Sequence, residues 1–109
     1  MATYTSVSEL LASYKSRFIP ENAGGVDTVI QINLEGTPDE AFYVEIHNQE
    51  CVVEAGAHEA PVLTVSATVE DWLKLNNHEV NPMLLMMQGK LKVEGPLHMA
   101  ARFQTMFRD

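Results

Sequence analysis

The chain is poor in the features that mark disulfide-stabilised and membrane-spanning proteins. One cysteine in 109 residues leaves no disulfide within the chain, as is usual in reducing compartments. No apolar run approaches the roughly 18 residues that a membrane-spanning helix needs. The N-terminus also lacks the basic-then-apolar order of a signal peptide. These absences predict a soluble protein of the cytoplasm.

Basic residues are missing from the middle of the sequence. Between Phe18 and Leu73 there are 11 acidic residues and no lysine or arginine, and the whole chain has a net charge of −8. Nucleic-acid binding depends on clustered cations that neutralise phosphates. The sequence therefore predicts no nucleic-acid partner. We interpret the acidic run as the solvated face of a sheet.

Motifs of catalysis and metal binding are absent as well. The four histidines have no metal-ligand spacing such as His-x-x-x-His, and neither a glycine-rich phosphate loop nor a Gly-x-Ser-x-Gly step occurs. Cys51 lies on the inward face of a predicted strand, whereas the neighbouring His47 points to the opposite face, so the thiol has no base to activate it. We expect no catalytic residue, no metal and no cofactor.

What the sequence does contain is the pattern of one α+β domain over residues 1–109. A capping box, Ser6 to Glu9, opens a helix whose apolar residues Val7, Leu10, Leu11, Tyr14 and Phe18 share one face. We interpret it as a packing helix without chemistry. Alternating apolar residues predict strands at 26–34, 41–47, 50–55, 62–67 and 90–94.

Three further helices are predicted among the later strands. Thr68 and Asn81 are N-caps, the second followed by Pro82, and Gly95-Pro96 precedes a closing amphipathic helix. The first three strands form an antiparallel meander with one apolar and one acidic face. The order of elements predicts a five-stranded, mainly antiparallel sheet with helices packed on one face.

The stretch from 81 to 107 is rich in methionine and holds five of the six in the chain. Residues 83–87, Met-Leu-Leu-Met-Met, make the short helix apolar all round. In a small protein such a helix is either enclosed by the core or covers something else. From the residues alone, flexible thioether side chains that fill gaps in a core explain the stretch well.

Two segments of the chain resemble one known family. Residues 63–73, Leu-Thr-Val-Ser-Ala-Thr-Val-Glu-Asp-Trp-Leu, and residues 87–95, Met-Gln-Gly-Lys-Leu-Lys-Val-Glu-Gly, are similar to the sterol carrier protein 2 (SCP2) family of lipid-transfer domains. The length, the opening helix and the meander fit the same family. The resemblance implies an SCP2-like sheet with helices on one face. Between them it implies an apolar tunnel for a fatty acid, acyl-CoA, sterol or similar lipid.

The chain departs from the family pattern at two points. The turn at 76–81 carries asparagines where the family usually has a glycine, and asparagine tolerates the same backbone shape. The last residues, Phe107-Arg108-Asp109, form no peroxisomal targeting signal. We therefore expect a free-standing cytoplasmic member rather than an organellar one.

The resemblance also implies which residues contact the ligand. The predicted wall consists of Trp72, Leu75, Met83, Met86, Met87, Leu97, Phe103 and Met106, and the predicted floor of Ile32, Phe42, Val44 and Val53. Gln88, at the end of the apolar helix, is the polar group expected to meet the ligand head. Lys90 and Lys92 are expected to be solvated, with at most transient membrane contact.

Two functions from different classes stay open at this stage. The first is a non-catalytic lipid carrier, which needs only an apolar cavity and one or two polar anchors. The second is a protein-interaction or dimerisation domain that uses the apolar C-terminal helices as its interface. The first predicts a monomer that lipid stabilises, and the second predicts a homodimer or complex that is indifferent to lipid.

Overall fold

Four α-helices and five strands follow one another in the computed structural model, which describes residues 4–107. The helices are α1 (Val7–Arg17), α2 (Val69–Asn76), α3 (Pro82–Met87) and α4 (Leu97–Thr105), and the strands are β1 (Thr28–Glu35), β2 (Phe42–His47), β3 (Glu50–Ala55), β4 (Leu63–Thr68) and β5 (Lys92–Glu94). This order confirms the predicted one. The expectations about a signal peptide and a C-terminal targeting signal involve residues 1–3 and 108–109, outside the described residues.

Side-chain caps start three of the helices where the sequence predicts them. The Ser6 hydroxyl accepts a hydrogen bond from the Glu9 amide at 3.2 Å, and the Thr68 hydroxyl accepts one from the Asp71 amide at 3.1 Å. The Asn81 side-chain oxygen accepts from the Met83 amide at 2.8 Å. Each cap gives a partner to an amide that the first helical turn leaves unpaired. Over residues 4–107 no helix is both long and apolar enough to cross a membrane.

The five strands form one mixed sheet in the order β3-β2-β1-β4-β5. β1, β2 and β3 make the predicted antiparallel meander, and β5 pairs antiparallel with β4. β1 and β4 are parallel, with Ile30 opposite Leu63 and Ile32 opposite Val65. The sheet is therefore mainly antiparallel, as expected, with one parallel pair at its centre that the sequence pattern did not indicate.

The loop that leads from β3 to β4 crosses the outer face of the sheet, and Gln31 holds it there. The Gln31 side chain donates to the Gly56 carbonyl at 3.1 Å and accepts from the His58 amide at 2.8 Å. Gln31 points away from the core, as predicted, but it is only 3% exposed. The outer face is therefore not solvated at Gln31, because the crossing loop covers its amide.

The core lies on the inner face of the sheet. Its fully buried members include Leu10 of α1 and alternate residues of β1 and β2, such as Ile30 and Phe42. α1 packs on β3 and α2, and α2 packs on β1 and β4. α4 contacts β5 and contains no buried residue, although Met106, just beyond its end, is fully buried.

Backbone geometry explains the glycines of the segment 88–95. Beyond α3, the amides of Lys90 and Leu91 both donate to the Leu85 carbonyl, at 2.9 and 3.2 Å, and Gly89, the residue before them, has φ +72°. Gly95 has φ +124°, and a Cβ there would lie 2.7 Å from the Val62 carbonyl oxygen. Only glycine adopts such a conformation without strain. The segment therefore fixes how β5 joins β4.

Candidate ligand-binding site

Nine of the thirteen predicted ligand-binding residues meet in a single apolar cluster. Five of them belong to the buried core, namely Ile32, Phe42, Val44, Trp72 and Met106. The other four are partly buried and pack against that core, namely Val53, Leu75, Met86 and Phe103. Alternation along β1 and β2 turns the floor residues to the same face. α2, α3 and α4 bring the others over that face. The positions predicted for floor and inner wall are thus adjacent in the fold.

The other four predicted residues are on the surface. Met83 is 64% exposed, Met87 80% and Leu97 60%. Gln88, which directly follows Met87, is exposed as well. α3 is anchored by Leu85, which is its buried residue. The helix therefore neither sits inside the core nor is covered by another described element. Exposed apolar side chains concentrated on one short helix are typical of a contact surface.

An aromatic cluster joins α1 to the predicted site. The Tyr14 ring lies 5.9 Å from the Phe42 ring and 5.3 Å from the Phe107 ring, measured between centroids. Phe107 in turn lies 5.0 Å from Phe103 and bridges to Phe18. Such tilted and edge-to-face pairs are favourable beyond their buried area. Phe107, the last described residue, thus packs against Tyr14 and Phe18.

Tyr14 is buried in the core, which confirms the predicted packing stripe of α1. Its ring also contacts Phe42, a predicted floor residue, and this contact is not predicted by the sequence. Its hydroxyl is buried and has no hydrogen-bond partner of acceptable geometry among the described residues, and the same is true of the Trp72 indole nitrogen. The available signal was a hydroxyl-bearing residue inside an apolar stripe, since a buried hydroxyl needs a partner.

The electrostatic environment of Tyr14 is dominated by burial. Desolvation raises the pKa of its hydroxyl far above the usual range, while the Arg17 charge and the neighbouring Trp72 N–H lower it by less. The Arg17 guanidinium carbon lies 4.9 Å from the centre of the Tyr14 ring. The hydroxyl therefore keeps its proton at physiological pH and acts as a neutral donor.

The acidic outer face carries a polar network that is separate from this cluster. The Tyr43 hydroxyl donates to Glu54 at 2.6 Å, and His58 lies 3.4 Å from the Glu45 carboxylate. His47 lies 3.3 Å from Asp27. Among residues 4–107 no three His, Cys, Asp or Glu side chains are grouped so as to hold a metal ion.

Cys51 is a buried thiol on the inner face. Desolvation raises its pKa to about 11, although the charge of Lys15 lowers it. Its cross-strand partner Ile46 shares the inner face, so the next residue, His47, points to the other side. A protonated thiol without a nearby base is a poor nucleophile.

Two open depressions lie on the surface of the described residues. One is lined by residues 78–82, and the other by Lys15, Phe18 and residues 50–52. Neither contains any of the nine clustered residues.

The chain matches the model of the SCP-2 sterol transfer family over residues 8–108. A curated relative, hydroxysteroid dehydrogenase-like protein 2 from Danio rerio, is 27% identical over 103 residues. The match covers 92% of this chain but only 24% of that relative. The chain thus spans about a quarter of the length of this relative.

Solved structures show the same fold. The stereoselective inverting sec-alkylsulfatase Pisa1 from Pseudomonas sp. is similar with a TM-score of 0.82 at 15% identity, over 92% of this chain and 16% of that chain. Palmitated SCP2L2 from Aedes aegypti is similar with a TM-score of 0.70 at 24% identity, over 91% of both chains. Together with the match over residues 8–108, the five-stranded sheet and its covering helices show that this chain belongs to the SCP-2 sterol transfer family.

Proposed function

We propose that the chain is a non-catalytic carrier of a hydrophobic ligand, which it binds between the sheet and the C-terminal helices. The observation that carries the proposal is the unequal burial of α3. Leu85 anchors this helix, while Met83 and Met87 are 64% and 80% exposed. Membership of a sterol transfer family and the likeness to a palmitated relative support the same reading.

The shallow packing of α3 and α4 offers a route by which a ligand could enter. α4 contributes no buried residue of its own, and Met86 and Phe103 are only partly buried at the edge of the core. Displacing α3 and α4 would therefore expose Met86, Phe103 and the core residues that they pack against, while leaving the inner strands paired. Methionine side chains adapt to both arrangements because they have three rotatable bonds.

A closed arrangement without ligand is also what energetics favours. A cavity costs about 24 cal/mol per Å³, so an empty tunnel of about 300 Å³ would cost about 7 kcal/mol. That is comparable with the whole stability of a small domain, about 5–15 kcal/mol. We infer that the tunnel forms as the ligand enters, which agrees with the absence of predicted lining residues from the two open depressions.

The finer features of the proposal rest on the family resemblance. The ligand is a fatty acid, acyl-CoA, sterol or similar lipid, and the chain uses no metal or cofactor. The proposed location is the cytoplasm, and the buried Cys51, with its pKa raised to about 11, is a poor nucleophile. Any membrane contact is transient, during uptake or delivery of the ligand.

Extraction of the native protein tests this proposal. The chain purified without detergent is extracted with organic solvent, the extract is analysed by mass spectrometry, and the thermal midpoint is measured with and without added fatty acid. We expect a bound lipid or, for protein stripped of lipid, a midpoint that rises with fatty acid concentration. Repeated failure to find lipid, together with no uptake and no stabilisation, would contradict the carrier.

The exposed side chains of α3 also support a second candidate, an interface between two copies of the chain. Leu84 is 51% exposed and Leu97 at the start of α4 is 60% exposed, in addition to Met83 and Met87. Light scattering with and without fatty acid separates the candidates. A stable dimer that fatty acid neither stabilises nor dissociates would favour the interface over the carrier.

A further inference from the structure

Three side chains that carry hydrogen-bond donors lie close together beside the proposed site: Tyr14, Arg17 and Trp72. The Trp72 indole and the Arg17 guanidinium offer N–H groups and no acceptor, and both influence the pKa of the Tyr14 hydroxyl. Arg17 donates to the Ser13 hydroxyl at 3.0 Å. The Tyr14 hydroxyl could at best accept from Trp72 or Arg17, which would still leave its own proton without an acceptor.

This arrangement lacks an acceptor oxygen. The Tyr14 hydroxyl and the Trp72 nitrogen are both buried without a partner among residues 4–107, and Tyr14 as a whole is 2% exposed. An unpaired buried polar group costs free energy. The Thr28 hydroxyl is also buried without a partner in the described part of the chain, but Tyr14 and Trp72 lie next to each other, and two such donors side by side indicate that something other than the described residues accepts from them.

The donors adjoin residues that are predicted to line the ligand site. Tyr14 contacts Phe42 of the floor and, through Phe107, Phe103 of the wall, while Trp72 is itself a predicted wall residue. Arg17 adds a positive charge at 4.9 Å from the Tyr14 ring. A local cation matters here because the chain as a whole has a net charge of −8 and would otherwise repel an anion.

We propose that the Tyr14 hydroxyl and the Trp72 indole N–H form the polar end of the ligand site and bind the carboxylate of a fatty acid. Its oxygens accept from both donors, Arg17 balances its charge, and the acyl chain extends along the floor residues Phe42 and Val44. The inference rests on the proposed function and specifies the ligand class. It assigns the head-binding role to α1 and α2 rather than to Gln88, whose side chain is exposed.

Removing single donors tests the assignment. Tyr14→Phe deletes only the hydroxyl, and Trp72→Phe deletes the indole N–H. Tyr43→Phe is the matched control, because its hydroxyl lies on the outer face and bonds to Glu54. Binding of dodecanoate, dodecanol and methyl dodecanoate is measured at pH 8 by displacement of a fluorescent fatty acid, and the ligand-free stability of each variant is measured by urea denaturation.

We expect Tyr14→Phe to weaken dodecanoate binding about tenfold or more, since hydrogen bonds to charged groups are the stronger ones. The neutral alcohol and ester should lose less, so the preference for the acid should shrink. The ligand-free protein should be as stable as wild type or more stable, because an unpaired buried hydroxyl is gone. Trp72→Phe should also reduce the preference for the acid, and Tyr43→Phe should leave it unchanged.

The possible negative results distinguish the head-group assignment from the carrier function. A Tyr14→Phe protein that binds dodecanoate as tightly as wild type, or loses all three ligands equally, would overturn the head-group assignment and leave the carrier intact. Loss of acid preference in Tyr43→Phe to the same extent would overturn it too. A wild-type chain that takes up none of the three ligands would overturn the proposed function and, with it, this inference.

Discussion

The apolar side chains of the sheet are mostly buried, whereas several of those on the C-terminal helices are exposed. On the inner face of the sheet, Ile30, Phe42 and Val44 are completely buried. On α3, Met83 and Met87 are 64% and 80% exposed. Stabilisation by the hydrophobic effect is proportional to the apolar area removed from water. The sheet face therefore carries the stability of the fold, while the exposed side of α3 contributes little to it and is free to contact a ligand or partner.

The largest effect is expected from a truncation in the sheet. Phe42→Ala should lower the free energy of unfolding by about 3–5 kcal/mol, because it leaves a cavity under a fully buried ring. Urea denaturation measures the loss. Val52→Ala, on the neighbouring strand but at a residue 42% exposed, is the control and should change stability by less than about 0.5 kcal/mol. Equal effects of the two substitutions would abolish the contrast between buried and exposed positions.

A smaller loss is expected where the C-terminal segment joins the sheet. Gly95→Ala should cost about 1–3 kcal/mol because a residue with a Cβ is strained at φ +124°. It would also press on the Val62 carbonyl. Gly24→Ala is the control, since φ there is −60° and the nearest atom to a Cβ is 4.0 Å away. If thermal denaturation gave both variants the same midpoint, the close approach of β5 to β4 would be in doubt.

Substitutions on α3 sharpen the comparison within one helix. The double change Met83→Gln and Met87→Gln should alter ligand-free stability by no more than about 0.5 kcal/mol, whereas Leu85→Ala on the buried side should cost about 2–4 kcal/mol. The double variant should nevertheless bind fatty acid more weakly, measured by displacement of a fluorescent analogue. A double variant as unstable as Leu85→Ala would show that the exposed side of α3 supports the fold after all.

The smallest effect is a pH dependence from Cys51. Burial raises the pKa of its thiol from 9.0 to about 11 in the folded chain, so the fold favours the protonated form. This contribution is fully present below about pH 9 and is lost as the pH rises from about 9 to about 11. Urea denaturation at pH 7 and pH 10.5 should show a smaller alkaline loss for Cys51→Ala than for wild type. Identical losses would place the thiol in water rather than in the core.

The sequence was sufficient to predict what local rules decide. The caps at Ser6, Thr68 and Asn81, the alternation along β1 and β2 and the order of elements all follow from short-range patterns. The parallel pairing of β1 with β4 was not visible. It depends on a loop that crosses the sheet and is held by the Gln31 side chain, and no periodicity records such a contact.

The candidate site shows the same division. Nine of the thirteen predicted residues converge because alternation and helical spacing decide which way they face. Which side of α3 is buried could not be read from a run of five apolar residues, since every side of such a helix looks alike. The proximity of Tyr14 to Trp72 could not be predicted either, because it arises only when α1 and α2 pack on the same sheet face.

Photo-crosslinking tests the central claim most directly. A fatty acid with a diazirine near the end of its acyl chain is bound to the ligand-stripped chain and irradiated, and the labelled peptides are identified by mass spectrometry. We predict labels on the inner face of β1 and β2 and on α2, α3 and α4, competed away by unlabelled fatty acid. Labels confined to the outer face around Tyr43 and Glu54, or spread evenly and not competed, would contradict a ligand site between the sheet and the C-terminal helices.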